Sequence, residues 1–249
     1  MTRQQRAGGP ALGDGPARRR VVVAIDGPAG AGKSTVARRV AAGAGLRYLD
    51  TGAMYRAVTW ACLQAGIDLM AEPLGAAAVV AVAETTDITF VSGSAGDAVR
   101  VNGVDPGEAL RAPAVDRGVA RVATLAGVRR ALVPQQRRQA QGGGLVLDGR
   151  DIGTDVLPDA DVKVFLTADA EARAARRHAE LRRRAPNVRL AEVRRDLQDR
   201  DALDQKRQES PLRRAPDAHV IDTTHLSVDQ VVERILALLP RAQGEGSAN

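Results

Sequence analysis

Nine residues, GPAGAGKST at positions 27–35, follow the apolar run Val21, Val22, Val23, Ala24 and Ile25 after a single Asp26. The spacing G-x-x-x-x-G-K-S needs a strand before it and a helix after it, and both contexts are present. Gly27, Gly30 and Gly32 permit the tight backbone path that turns successive amide N–H groups inward; Pro28, Ala29 and Ala31 fill the variable places. Those amides, together with the N-terminus of the next helix, form a concave site for a polyphosphate. Lys33 then meets the terminal phosphates, Ser34 offers a hydroxyl to a magnesium ion, and Thr35 can donate to the innermost phosphate. The alternative is a glycine-rich turn that matches by chance, and the strand and helix context argues against it.

Composition narrows the remaining choices. A chain of 249 residues with 44% apolar residues can bury a substantial core. No stretch is apolar for long enough to span a membrane and the N-terminus carries no apolar signal stretch, so a cytoplasmic protein is expected. Cys62 is the single cysteine, which rules out an intrachain disulfide, and His178, His219 and His225 lack zinc-site spacing. The net charge of +6 raises the question of nucleic acid, but acids are interleaved with the arginines and aromatics make up only 2%, leaving few stacking platforms. A solvated basic surface, with no nucleic-acid partner, is the favoured reading.

Short apolar runs alternate with helical patterns, which predicts an α/β fold around a parallel sheet. Buried strands are expected at 21–25, 145–147, 162–166 and 219–221, with a shorter one at Leu46–Leu49. The helix after the loop should run from Lys33 to about Ala42, closed by Gly43 and Gly45. Ser227 and Gln230 make a capping box for a final helix whose buried stripe is Val228, Val231, Val232, Ile235 and Leu239. Residues 87–103 alternate apolar and polar positions around SGSAGD, a β-hairpin pattern that has no place in a plain βαβ unit and is therefore assigned to an inserted subdomain. Residues 1–20 and 241–249 read as disordered tails.

Two further stretches carry charge where ligands gather. LVLDGRDIG at 145–153 is a strand ending in Asp148, Gly149, Arg150 and Asp151, and parallel sheets bind ligands beyond the carboxyl ends of their strands. Asp148 could hold a water on magnesium and Arg150 could neutralise a phosphate; a turn with solvated charges is the alternative. Leu190, Val193, Leu197, Arg200, Asp204 and Arg207 follow at steps of three and four, so one helical stripe changes from apolar to charged before Pro211 limits it. That stripe either presents charge to a cleft or is an exposed i, i+4 pair worth a few tenths of a kcal/mol.

Taken together, the phosphate loop, DTGAMYR at 50–56, the VR of Val128 and Arg129, DGRDIGT at 148–154 and RDALDQKRQESPL at 200–212 resemble the bacterial cytidylate kinases, in the family's order and over residues 21 to about 240. The resemblance implies the P-loop fold of the nucleoside monophosphate kinases: a parallel-sheet core (21–62, 115–169 and 213–240), an enlarged insertion for the monophosphate (63–114) and a short lid (170–212). It implies ATP as phosphate donor, Mg2+ as cofactor, and transfer to CMP, and to dCMP as well, in a monomer without a membrane or nucleic-acid partner. Carried over by position, Arg56 and Arg150 grip the acceptor phosphate and Arg200 and Asp204 reach its ribose. Arg207 lies near the transferring phosphate, Arg129 and Asp151 read the base, and Tyr55 and the backbone around Thr51 complete the pocket wall. Lys33, Arg150, Arg200 and Arg207 are the catalytic set.

The chain departs from the family pattern at Ala120, where relatives commonly carry a serine that contacts the cytosine, and at Asp155, where an apolar residue is usual. Missing one hydrogen bond of about 1 kcal/mol should weaken discrimination against uracil. Two other readings compete with this one. The nearer is a kinase of the same fold acting on UMP, AMP or a non-nucleotide alcohol; the more distant is a nucleotide-dependent switch or nucleic-acid-binding ATPase.

Overall fold

In the computed structural model, residues 21–93, 96–183, 185–207 and 209–240 are described. The expected tails at 1–20 and 241–249 and the middle of the SGSAGD turn lie outside the described residues. The main sheet has five strands, β1 (Val22–Asp26), β2 (Arg47–Asp50), β5 (Leu145–Asp148), β6 (Val162–Thr167) and β7 (His219–Asp222), in the order β2-β5-β1-β6-β7. All are parallel, with Ile25 of β1 opposite Asp148 of β5 and Val164 of β6. Valine and isoleucine suit such strands because both faces are covered. Val23 and Ile25 pack under α1 (Lys33–Ala44) and α8 (Val228–Leu236), whereas Ala24, Leu145 and Leu147 pack on the opposite face with Ile152 and Val156.

Each expected strand is found, with two adjustments. The second begins at Arg47, so Leu46 packs just outside it. The last is not buried as expected: β7 is an edge strand in which only Ile221 is covered and Val220 is 47% exposed. An edge position leaves one side and part of each face to solvent. The helix after the loop continues through Gly43 to Ala44, and Gly45 alone ends it in the left-handed conformation at φ 65°. A Cβ added at Gly43 would press on Leu236 Cδ1 at 3.3 Å, where α8 crosses. The capping box of Ser227 and Gln230 forms as the sequence indicates, but α8 stops at Leu236 and Leu239 packs against the core from beyond it.

A second apolar cluster is built by helices rather than by the sheet. It joins Met54, Val58 and Cys62 of α2 (Thr51–Gln64), Val79 and Ala83 of α3 (Ala76–Thr85), Val119 and Val122 of α4 (Pro113–Thr124), and Val128 and Leu132 of α5 (Ala126–Ala140). The expected hairpin is present as β3 (Ile88–Gly93) and β4 (Gly96–Val101), an antiparallel pair with Ile88 opposite Val101 and Phe90 opposite Val99. Ile88 and Val101 are 1% exposed and anchor it to this cluster. The cluster therefore draws on residues from both sides of position 114, where the sequence suggested a boundary. Two further helices, α6 (Ala170–Arg182) and α7 (Leu190–Lys206), pack on each other through Ala174, Val193 and Leu197 and reach Ala29 of the phosphate loop. Leu190, expected on the apolar stripe, is 38% exposed at the first turn of α7. Among the described residues no helix is long and apolar enough to cross a membrane.

The tightest backbone contact lies where β1 becomes the loop. Gly27 has φ 146°, and a Cβ there would sit 2.1 Å from the carbonyl oxygen of Leu166 in β6. Gly27→Ala is expected to destabilise the fold by more than about 3 kcal/mol, whereas Gly45→Ala, with open space around its Cβ, should cost about 1–2 kcal/mol for the left-handed backbone alone. Urea denaturation of the two variants checks the ordering.

Candidate active site

The phosphate loop leaves β1 at the centre of the sheet and re-enters as α1. Gly30 and Gly32 have φ 77° and 88°, and nothing lies within 4 Å of a Cβ built on Gly32, so the loop opens onto free space there. The N-terminus of α1 has no side-chain cap and no acid in its first turn, which leaves its amides to an anion. Lys33 is 6% exposed and donates from Nζ to the carbonyl oxygen of Pro28 at 2.8 Å, arching over the loop. Burial, and then the nearby Arg150, hold its ammonium well below the ordinary lysine range. Arg173 of α6 buttresses the loop from behind, donating to Ala29 O at 3.1 Å and to Asp201 of α7 at 2.6 Å.

Asp148 ends β5 beside the loop. Its Oδ2 accepts from Ser34 Oγ at 2.8 Å and its Oδ1 from the Tyr48 hydroxyl at 2.7 Å. Burial, followed by the charge of Asp50, pushes the Asp148 carboxyl up to about 6. Thr51 turns its hydroxyl onto the Asp148 carbonyl at 2.7 Å, so this side chain braces the strand end, and Asp50 caps α2 by accepting from Ala53 N at 3.1 Å. Thr35 is exposed on the outer side of the first turn of α1.

Beyond Asp148 the arginines converge. Arg150 donates from Nε to Asp204 Oδ2 at 2.9 Å, and Arg207 closes on the other oxygen of the same carboxylate. Asp204 is 4% exposed; it pairs with these two and not with Arg200, so the exposed i, i+4 pair considered from the sequence does not form. Arg207 was expected on the helical stripe, but α7 stops at Lys206 and Arg207 is an extended cap (φ −57°, ψ 136°) whose side chain reaches back. Arg200 carries like charges around it: burial first, then Arg150, Arg56 and Arg177, push its guanidinium down to about 9, with Asp116 opposing. Asp116 of α4 meets Arg56 at 3.4 Å with one oxygen and Arg177 at 3.3 Å with the other.

A third part of the site is the Arg129–Asp151 ion pair, buried with side chains 3% and 6% exposed. Arg129 also lies over the Tyr55 ring at 5.7 Å, and burial pushes the Tyr55 hydroxyl up to about 12. Arg207 approaches closely enough to favour the Asp151 charge, and burial and Arg129 push Arg207 itself down to about 10. Among the described residues the Nε groups of Arg56, Arg129 and Arg207 are buried with no partner, an arrangement that suits an anionic ligand. Ala120, half-buried on α4, lies one turn after Asp116. Asp155 sits in the π-turn Ile152–Val156, where its side chain accepts from Thr154 Oγ1 at 2.7 Å and its carbonyl from Arg137 at 2.8 Å.

The chain matches the cytidylate kinase family model over residues 23–241. It belongs to the cytidylate kinase family. It is 48% identical to a cytidylate kinase of Desulfitobacterium hafniense, over 89% of this chain and 93% of that one. It is 47% identical to a cytidylate kinase of Geobacillus kaustophilus, over 89% and 97%. Among solved structures it is similar to a shikimate kinase of Acinetobacter baumannii, with TM-score 0.41, 19% identity and coverage of 88% and 92%, and to a gluconokinase of Sinorhizobium meliloti, with TM-score 0.44, 14% identity and coverage of 89% and 92%. As a cytidylate kinase the chain carries out phosphoryl transfer to CMP.

The residues named from sequence thus gather in one place: the loop with Lys33 and Ser34, Asp148, the Arg56–Arg150–Arg200–Arg207 group with Asp204, and Tyr55–Arg129–Asp151. Asp116, Arg177 and Asp26 were missed. Arg177 stands in an arginine-rich helix where no spacing singles it out, and Asp116 has no local motif; Asp26, a lone acid closing an apolar strand, was the one detectable signal.

Asp204 offsets two guanidiniums, so its loss should be felt before any ligand binds. Asp204→Asn is expected to lower stability by about 3 kcal/mol. At fixed ionic strength, replacing chloride by inorganic phosphate should raise the melting temperature of this variant more than that of the wild type, because the anion refills the vacated charge; thermal melts check both statements.

Proposed function

We propose that the protein transfers the terminal phosphoryl of ATP to CMP, and also to dCMP, through the residues gathered above, acting in the cytoplasm as a monomer with no nucleic-acid or membrane partner. The observation that carries this reading is that a phosphate loop with a buried lysine lies beside a cluster of arginines, Arg150 and Arg200 acting on Lys33 and Arg56 on Arg200, with the buried Arg129–Asp151 pair adjoining Arg207. All of these groups come from one chain.

In this reading the loop amides and Lys33 hold the ATP phosphates, and Arg56 and Arg150 hold the acceptor phosphate. Arg200 and Asp204 meet the ribose, and Arg207 stands near the transferring group. Phosphoryl transfer needs two anions brought into line and charge stabilised on the equatorial oxygens, so positioned cations suffice and no side-chain nucleophile is required. Guanidiniums whose charge is already disfavoured by burial and by one another gain most from an incoming phosphate. The insertion (63–114) and lid (170–212) are proposed to close over the substrates and exclude water, which would otherwise accept the phosphoryl group.

Ser34 and Asp148 fit a magnesium ion: a hydroxyl and a carboxylate already in contact beside the loop form an oxygen-only donor set, and Mg2+ is ordinarily held by one or two such groups together with substrate phosphates. Asp148 would act through water, and the ion would supply charge neutralisation on the ATP oxygens. Arg129 and Asp151 are proposed to read the cytosine edge, where a carboxylate accepts from the exocyclic amino group and a guanidinium donates to the ring acceptors. Ala120 offers no hydroxyl, so UMP should be a poorer but measurable acceptor.

A coupled assay across CMP, dCMP, UMP, AMP and GMP tests the reading, with CMP and dCMP expected to lead; a preference for AMP or GMP would refute it. Lys33→Ala should reduce kcat by at least about a hundredfold with the melting temperature nearly unchanged, because its partner in the reaction is a ligand. Asp151→Ala should lower the ratio of CMP to UMP efficiency by about tenfold, more than it slows the poorer substrate, and steady-state kinetics on both acceptors gives that ratio.

A further inference from the structure

One buried acid has no task in the reaction described so far. Asp26 closes β1 immediately before Gly27 and is 5% exposed. Its Oδ1 accepts the amide N–H of Ile152 and its Oδ2 that of Gly153, each at 2.8 Å. Burial pushes this carboxyl up to about 7 despite both bonds, with Asp151 adding to the rise and Lys33 opposing it. A carboxylate is expensive to bury, and an apolar residue would close a central strand at less cost.

What the two bonds hold explains the cost. One residue earlier, Ile25 O accepts from Gly149 N at 3.0 Å. The last two residues of β1 therefore grip the following segment at Gly149 on one side and at Ile152 and Gly153 on the other. Arg150 and Asp151 lie between these anchors. Downstream the chain is stiffened again, because the amides of Asp155 and Val156 both bond to Asp151 O, at 2.9 and 3.1 Å, in the π-turn. The same residue pair, Ile25–Asp26, launches the phosphate loop.

We infer that Asp26 is a positioning residue, whose carboxylate fixes Arg150 and Asp151 in register with the phosphate loop so that the acceptor's grip and the donor's cradle form one rigid unit. This rests on the reading that Arg150 and Asp151 hold the acceptor. Loss of the two bonds frees the acceptor side while the loop keeps its own glycine geometry, its Lys33–Pro28 bond and its Arg173 buttress. Misplacement by about 1 Å of a group that aligns reactants costs up to about a hundredfold in kcat/KM, felt here on the acceptor side.

The test is steady-state kinetics at pH 8, varying CMP, UMP and ATP separately, on the wild type, Asp26→Asn and Gly153→Ala. Asparagine keeps the shape but turns an NH2 group toward one of the two amides. Gly153→Ala leaves Asp26 in place and brings a Cβ to 3.2 and 3.3 Å from Lys163 Cδ and Cγ, with Asp26 Oδ2 at 3.4 Å, so the Gly153 amide must shift against Asp26 or the Lys163 stem must give way. Both variants should raise KM for CMP about tenfold or more and lower the CMP to UMP efficiency ratio, with KM for ATP within about threefold of wild type and a cooperative melt. A fall in kcat alone, or a parallel rise of both KM values, overturns the inference. If Asp26→Asn does not fold, Gly153→Ala decides by the same criteria. Arg150→Ala and Asp151→Ala are measured alongside. If these leave KM for CMP and the base ratio unchanged, the site reading falls and the inference with it; if they change both while Asp26→Asn and Gly153→Ala do not, the positioning role alone is wrong.

Discussion

The arrangement depends on keeping like charges together out of water. Burial, and then Arg150, Arg56 and Arg177 around it, push the Arg200 guanidinium down to about 9, and Arg150 adds to the burial that holds Lys33 low. Repulsion between cations grows as the local dielectric falls, so a cluster of this kind is tolerated only where carboxylates share the site. Asp116 serves Arg56 and Arg177, and Asp204 serves Arg150 and Arg207. Each acid spreads one negative charge over two cations, and Glu180 gives Arg177 a second partner, while Arg200 has no ion pair among the described residues. A buried guanidinium set among like charges is matched to a ligand that brings negative charge, and phosphorylated substrates do so.

Holding such a cluster in place requires a stiff edge, and the sheet supplies one through its acids. Four of the strands, β1, β2, β5 and β7, end in aspartate. Asp50 caps the following helix, and Asp222 ties down Thr224 through its backbone and hydroxyl at 2.8 and 2.5 Å. Asp148 receives Ser34 and Tyr48, while Asp26 receives two amides of the neighbouring crossover. Side chains at the carboxyl ends of parallel strands point to where ligands bind, and here the same residues order the loops that make the ligand site. The fold and the chemistry therefore meet along one line of carboxylates.

This edge also explains what the sequence made legible. Strands with both faces buried appear as unbroken apolar runs, so β1, β5 and β6 could be read directly, while β7 was recognised as a strand but misjudged as buried, because Val220 looks alike on an edge or in the middle. The loop was legible because its glycines answer to backbone geometry within nine residues. Gly43, expected as a stop, continues the helix and faces Leu236, which lies far away in the chain. The same distinction divides the site. Arg150, Asp151, Arg200, Asp204 and Arg207 sit in compact motifs and were found, although which acid pairs with which arginine was not, because Asp204 chooses Arg150 from another element over Arg200 on its own helix face. Asp116 and Arg177 act through a contact spanning 61 residues, and no local pattern records a partnership of that range. Pairing among buried charges is decided by the tertiary geometry that brings them together, so a single sequence reveals the charged residues while the network they form belongs to the folded chain.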